Sequence, residues 1–139
     1  MMSLLVVLLV LIWYEGEITM VNTQDFLDDT KADIQTFILT RSTYLAIGSG
    51  TTTPTTTDTT LDVEELRKAR QEYTQGVSDV VVSLFVGSTE GNGTSYTEVG
   101  VFDAASSGNL MMRQTYPSIA KTTAIDIWVD VEEQIDVTQ

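Results

Sequence analysis

The chain has 139 residues, contains neither cysteine nor histidine, and carries 20 acidic against 7 basic residues, a formal net charge of −13. This length is sufficient for one domain with a hydrophobic core. The missing residue types exclude disulfides, Cys/His zinc sites and histidine-based catalysis within one chain. The charge excludes nucleic acid as a partner, because neutralising phosphates requires clustered Lys and Arg. Acid spread along the chain is typical either of a protein adapted to concentrated salt or of an ordinary acidic protein.

The first 19 residues form a separate N-terminal extension, which contains a wholly apolar run at residues 4–12. This run is shorter than the roughly 20 residues that cross a bilayer, and it lacks the basic start and cleavage site of a signal peptide. Three interpretations remain open. The natural chain begins at Met20, or the segment packs into an oligomer as a helix or strand, or it is a marginal membrane anchor. A single domain is expected over residues 20–139.

An amphipathic helix is predicted over residues 23–39, capped by Asn22 or Thr23. The residues at helical spacing on its apolar face are Phe26, Leu27, Ile34, Phe37 and Ile38. The spacing places Gln35 among the solvated residues between them. The face is expected to pack on the core, and Phe26, Leu27, Ile34 and Phe37 are also candidate contacts to another subunit.

A short strand at residues 44–48 is followed by a loop with eight threonines in residues 51–60. Such a low-complexity sequence buries too little apolar surface to form core. The loop is therefore expected on the surface, as an extended segment or as a carrier of O-linked sugar. Asp58, Asp62 and Glu64 make only a weak calcium site, because they do not form an Asp-rich calcium loop. We expect no metal and no cofactor.

Residues 61–70 are predicted to form a helical turn that Leu61 and Leu66 hold in place, with Glu64 and Lys68 as an ion pair. This segment contains the only cluster of positive charge in the chain. The cluster is either a solvated face with internal salt bridges or a contact to an acidic neighbour in an assembly.

The strongest single strand is predicted at residues 77–86, where both faces are apolar. Such a strand lies in the middle of a sandwich or against another subunit, and its Phe85 is a candidate subunit contact. In the loop that follows, Asn92 begins a three-residue match to the N-glycosylation pattern.

A β-hairpin is predicted from strands at residues 94–103 and 110–116, because both alternate apolar and polar side chains around a turn with Gly108 and Asn109. Tyr96 is a candidate subunit contact. Glu98 and Arg113 lie across the hairpin from one another and are expected to form a structural ion pair.

The last strand is predicted at residues 124–131, with Ile125, Ile127, Val129 and Val131 inward and with Asp126, Asp130 and Trp128 outward. Trp128 is a candidate subunit contact, because interfaces favour tryptophan. About five strands and one N-terminal helix predict a mainly β fold, an antiparallel β-sandwich. No pair of carboxylates is accompanied by signs of a substrate cleft, so we expect no enzyme.

The ordered series of residues 44–61, 65–67, 98–104, 110–113 and 121–122 resembles small virion structural proteins of tailed bacteriophages and archaeal tailed viruses. The threonine content of the loop and the apolar segment before Met20 depart from that pattern. The resemblance implies a β-sandwich that builds a symmetric appendage on the virion surface, either a capsid vertex turret or spike or a tail-tip or fibre component.

The partners that it implies are identical copies in a trimer or pentamer, capsid or tail proteins, and the host surface. Together with the acidic charge, the resemblance favours a virus of halophilic archaea. The alternative is a cell-surface β-domain of a haloarchaeon that residues 4–12 tether to the membrane.

Overall fold

The computed structural model describes residues 23–137, which form one helix and seven strands. The elements are α1 (Gln24–Arg41), β1 (Tyr44–Gly48), β2 (Glu64–Ala69), β3 (Glu72–Gln75), β4 (Asp79–Val86), β5 (Ser95–Phe102), β6 (Leu110–Ala120) and β7 (Ile127–Gln134). The N-terminal extension at residues 1–19, with its three interpretations, lies outside this range. Within residues 23–137, no helix combines the length and the apolar character needed to cross a membrane.

The strands form two antiparallel sheets, one with the order β2-β1-β5-β6 and the other with the order β3-β4-β7. The predicted antiparallel β-sandwich with one N-terminal helix is confirmed. The core lies between the sheets, because alternate residues of each strand point inward. The buried residues that meet there include Leu45, Ile47, Val99 and Val101 from the four-stranded sheet and Val80, Val82, Leu84 and Val86 from the three-stranded sheet.

The two strongest strand predictions are confirmed. The hairpin is β5 paired with β6, and the apolar strand is β4, which lies between β3 and β7 in the middle of its sheet. The hairpin turn places Ser107 and Gly108 at φ values of 53° and 75°. Asp103 closes the turn, since its Oδ1 accepts a hydrogen bond from the backbone N–H of Asn109 at 2.7 Å.

Helix α1 begins as predicted, because the Thr23 side chain caps it by accepting a hydrogen bond from the N–H of Phe26. The predicted apolar face is partly wrong. Leu27 is buried, whereas Phe26 and Phe37 are 51% and 56% exposed. Gln35, expected in solvent, is buried instead. The helix packs through the residues on the Leu27 side, and Phe37 lies about 100° around the helix from its packed neighbour, Ile38.

Gln35 fixes the helix on the turn between β3 and β4. Its side-chain nitrogen donates to the carbonyl oxygens of Gly76 at 2.8 Å and Asp79 at 3.2 Å, and its oxygen accepts from Gln75 at 2.7 Å. We expect Gln35→Ala to lower the free energy of unfolding by about 1–3 kcal/mol, because it leaves buried polar groups without partners. Urea denaturation measures this change. Gln24→Ala on the exposed start of the helix is the control, and an equal effect of both variants contradicts the role of Gln35.

Two local predictions are wrong. Residues 64–69 are an edge strand rather than a helical turn, because Leu66 pairs with Ile47 of β1 and packs against the core between the sheets. The expected ion pair of Glu64 with Lys68 does not form. Glu64 instead binds Arg67 at 2.6 Å, and Lys68 binds Glu90 at 2.7 Å.

Ile125, expected to point inward from the last strand, is 39% exposed. It lies in a turn, where its N–H donates to the Thr122 carbonyl oxygen, and β7 begins only at Ile127. Ile127 is buried, and Val129 and Val131 are half-buried against the core, as predicted.

Candidate functional site

An aromatic pair lies on the outer face of the three-stranded sheet. Phe85 of β4 and Trp128 of β7 are directly opposite in the antiparallel register, so their side chains point to the same face. Their neighbours Leu84 and Val86 are buried between the sheets, which places the pair on the opposite side. The ring centroids are 4.9 Å apart, and Trp128 remains 54% exposed. We call Phe85 and Trp128 the aromatic face.

The groups around the aromatic face are mostly acidic. Asp130 follows on the same side of β7 and accepts a hydrogen bond from the Ser83 hydroxyl at 2.6 Å. Lys68 holds the end of β4 by donating to the Phe85 carbonyl oxygen at 3.0 Å and to the Glu90 carboxylate. This hydrogen bond from Lys68, with one from the Gly87 N–H, lowers the pKa of Glu90. Approach of a second acidic chain to this face is therefore favoured by salt, which screens the repulsion.

The other predicted subunit contacts have different environments. Tyr96 is almost completely buried, its hydroxyl donates to the Gly91 carbonyl oxygen at 3.0 Å, and burial raises its pKa. Tyr96 and Leu27 are corrected to core residues, because their side chains leave no surface for a second copy. Ile34 is half-buried against the core, so Phe26 and Phe37 are the exposed members of the four contacts predicted on the helix.

Glu98 and Arg113 lie across the hairpin and are joined by a buried ion pair. The side chain of Glu98 is 0% exposed and that of Arg113 is 4% exposed, with Arg113 Nη2 2.9 Å from Glu98 Oε2. The same carboxylate accepts hydrogen bonds from the backbone N–H groups of Gly50, Asp62 and Val63 at 2.8–3.1 Å. Glu98 therefore joins both ends of the Thr-rich loop to the hairpin. We call this arrangement the loop anchor.

Arg113 extends the loop anchor into the loop itself. Its guanidinium donates to Asp58 Oδ2 at 2.6 Å and to the carbonyl oxygen and hydroxyl of Thr52 at 3.1 and 3.0 Å. Hydrogen bonds from the Thr55 N–H and hydroxyl, followed by the one from Arg113, lower the pKa of Asp58 to about 2. The loop is exposed, as predicted, and these bonds fix its path over the sheet.

Two glycines let the loop approach the carboxylate closely. A Cβ at Gly48 would overlap the Val63 carbonyl oxygen, and a Cβ at Gly50 would overlap Glu98 Oε1 and the Asp62 side chain. The sequence Gly48-Ser49-Gly50 marks the end of β1, but it did not show that a buried carboxylate lies beside it. The backbone N–H groups that bind Glu98 have no side-chain signature.

Acid is expected to weaken the loop anchor through Asp58. Its pKa is about 2 in the folded protein, against 3.8 ordinarily, so the unfolded chain takes up the proton first as pH falls. The stabilisation is complete above about pH 5 and is lost between about pH 4 and pH 2. Thermal unfolding from pH 7 to pH 2.5 measures it. Asp58→Asn should reduce the fall of the unfolding temperature between about pH 4 and pH 2.5, and Asp33→Asn on the helix should leave that fall unchanged. An equal fall in both variants contradicts the role of Asp58.

The three carboxylates considered for calcium bind separate partners. Asp58 binds Arg113, Asp62 accepts from the Thr51 N–H at 3.2 Å, and Glu64 binds Arg67. Across residues 23–137, no three acidic side chains converge as metal ligands.

Asn92, the predicted glycosylation site, is exposed, but its side-chain amide is used within its loop. The nitrogen donates to the Ser88 carbonyl oxygen at 2.8 Å, and the oxygen accepts from Lys121 Nζ at 3.0 Å. Attachment of a sugar requires the amide nitrogen to leave Ser88.

Lys121 is 1% exposed, a buried position that the turn sequence around it did not indicate.

The fold and the two sites define the chain as an antiparallel β-sandwich with an anchored surface loop and an exposed aromatic pair. No protein-family model matches the chain, and no curated protein matches it at a significant level.

Proposed function

We propose that this chain is a structural protein of a tailed virus particle, from a virus of halophilic archaea, and that its copies assemble into a symmetric appendage on the particle surface. The observation that carries the proposal is the aromatic face, where Trp128 is 54% exposed beside Phe85 on an open sheet. A large aromatic side chain on a flat β-surface is typical of the centre of a protein interface.

The buried charges favour a structural role over catalysis. Glu98 is occupied by three backbone N–H groups and by Arg113, and Arg113 is occupied by Glu98, Asp58 and Thr52. These groups have fixed partners on every side, and they hold the Thr-rich loop in one conformation. A loop held rigidly on the surface suits permanent contacts in a particle.

In this proposal, different surfaces of the chain bind different partners. The aromatic face binds identical copies in a trimer or pentamer, and Phe26 and Phe37 extend the contact surface on the helix. The Thr-rich loop and the hairpin tip face outward, toward capsid or tail proteins or the host surface. Nucleic acid is not a partner, given the net charge of −13.

Locating the chain in the density of a purified particle tests the proposal. The expected result is a ring of copies at a capsid vertex or at the tail tip, with Trp128 at the contact between neighbours. Absence of the chain from purified particles overturns the proposal. Recovery of the chain in the membrane fraction instead supports the alternative, a cell-surface domain tethered by the apolar run at residues 4–12.

A further inference from the structure

A lysine directly after β6 is buried against the loop that connects β4 to β5. Lys121 is 1% exposed, and its side-chain nitrogen donates to Asn92 Oδ1 at 3.0 Å and to the Thr122 carbonyl oxygen at 3.1 Å. Both partners are neutral, and no acidic side chain within residues 23–137 forms a salt bridge with this lysine. Because a lysine is rarely buried so completely without a paired charge, an ion pair does not explain the position.

Hydrogen bonds on several sides hold the Asn92 amide against this amine. The Gly93 N–H donates to the Lys121 carbonyl oxygen, and the Lys121 N–H donates to the Thr94 carbonyl oxygen, both at 2.9 Å. Asn92 Nδ2 donates to the Ser88 carbonyl oxygen at 2.8 Å. The hydrogen bond to Oδ1 also brings the lysine nitrogen within about 4 Å of Cγ, the carbon that a nucleophile attacks. The amine and the amide are therefore positioned as two reactants.

We propose that Lys121 and Asn92 form a covalent amide bond. The Lys121 ammonium gives one proton to a carboxylate, and its nitrogen then attacks Asn92 Cγ. A C–N bond forms, the bond from Cγ to Nδ2 breaks, and the attacking nitrogen passes a second proton to Nδ2. Nδ2 leaves as ammonia and departs as ammonium with the first proton. The reaction needs no oxidant, reductant or further reactant.

Glu90 is the base in this reaction. It is the only acidic residue in the loop at residues 87–94. Hydrogen bonds from Lys68 and from the Gly87 N–H, with a smaller contribution from the charge of Lys121, lower the pKa of Glu90. Its carboxylate is therefore ionised, and one bridging water is sufficient for proton transfer from Lys121.

The bond joins the two connections that cross between the sheets at this end of the sandwich. Asn92 lies between β4 and β5, and Lys121 lies between β6 and β7. The chain has no cysteine, so a disulfide cannot provide such a link. The bond forms within one subunit and is independent of the viral role.

Trypsin digestion of the denatured full-length protein, followed by mass spectrometry, tests the bond. In an unlinked chain, cleavage after Arg70, Arg113 and Lys121 releases residues 71–113, 114–121 and 122–139 as separate peptides. Trypsin does not cut after a lysine whose side chain is an amide. We therefore expect residues 114–139 joined to residues 71–113, with a mass about 17 Da below that of the two peptides together.

Three variants assign the reacting groups. Asn92→Ala should abolish the link, and the exposure of Asn92 makes the substitution compatible with the fold. Asn109→Ala, at an exposed asparagine in the hairpin turn, is the matched control and should keep the link. Glu90→Gln should lower the linked fraction of freshly expressed protein by about tenfold or more, because the base is lost. An unchanged fraction overturns the role of Glu90.

Three results overturn the bond itself. The first is release of residues 114–121 as a free peptide from the wild-type protein. The second is a loss of about 17 Da confined to residues 71–113, which shows that the Asn92 amide has closed on the Gly93 nitrogen and has left Lys121 free. The third is a sugar on Asn92.

Discussion

Glu98→Ala is expected to lower the free energy of unfolding by about 3–5 kcal/mol, the largest effect of any single substitution considered. The change removes the acceptor of three backbone N–H groups and leaves Arg113, which is 4% exposed, without one of its two carboxylates. Urea denaturation followed by circular dichroism measures the loss. Because the loop anchor also joins the two ends of the Thr-rich loop, amide exchange in residues 49–63 should accelerate in the folded variant.

Two further variants separate the loop anchor from a general effect of removing charge. Glu98→Gln keeps the shape of the side chain and loses its charge, so we expect a smaller but clear destabilisation. Glu72→Ala removes an exposed carboxylate from β3 and should change stability by less than about 0.5 kcal/mol. An effect of Glu98→Ala as small as that of Glu72→Ala contradicts the role assigned to the buried carboxylate.

If copies associate through the aromatic face as proposed, Trp128→Glu is expected to leave the protein monomeric with its fold intact. Trp128 is 54% exposed, so its replacement costs little inside the subunit. At a contact between copies, loss of a central tryptophan typically costs at least about 2 kcal/mol, and a new carboxylate beside Asp130 adds repulsion. The association constant should therefore fall at least about thirtyfold, as sedimentation equilibrium in molar salt measures.

Tyr73→Glu is the matched control for this substitution. Tyr73 is 51% exposed on β3 and stacks on Arg70, so the control adds the same charge at a similarly exposed aromatic residue away from β7. We expect it to leave the assembly unchanged. If Tyr73→Glu dissociates the protein as strongly as Trp128→Glu, acidic repulsion rather than the aromatic face controls association.

The sequence predicted the parts of the fold that local patterns determine. The apolar run of β4, the alternating side chains of β5 and β6, and the capping residue Thr23 correctly indicated a central strand, a hairpin and a helix start. It failed where tertiary contacts override local preference. Residues 64–69 contain Glu, Leu, Arg and Lys, which favour a helix, yet they form an edge strand because Leu66 packs against the core beside β1.

The candidate sites were predictable only in part. The alternation of the last strand correctly predicted that Trp128 points outward. The predicted hairpin correctly placed Glu98 and Arg113 near one another on paired strands. Tyr96 was misassigned to the surface because the pairing of β5 with β6 shifts register between Tyr96 and Glu98. Such an irregularity interrupts the regular alternation of inward and outward side chains along β5. Gln35 and Lys121 were missed because a polar residue is ordinarily exposed, and only the folded chain shows the carbonyl groups that bind them.

The mass of the full chain in molar salt tests the central claim, that identical copies cover the aromatic face. Sedimentation equilibrium should give three or five times the chain mass of 15.3 kDa, with association strengthening as salt screens the acidic surface. A mass of 15.3 kDa at every protein and salt concentration would contradict the claim, because Trp128 would then remain exposed on a protein that does not assemble.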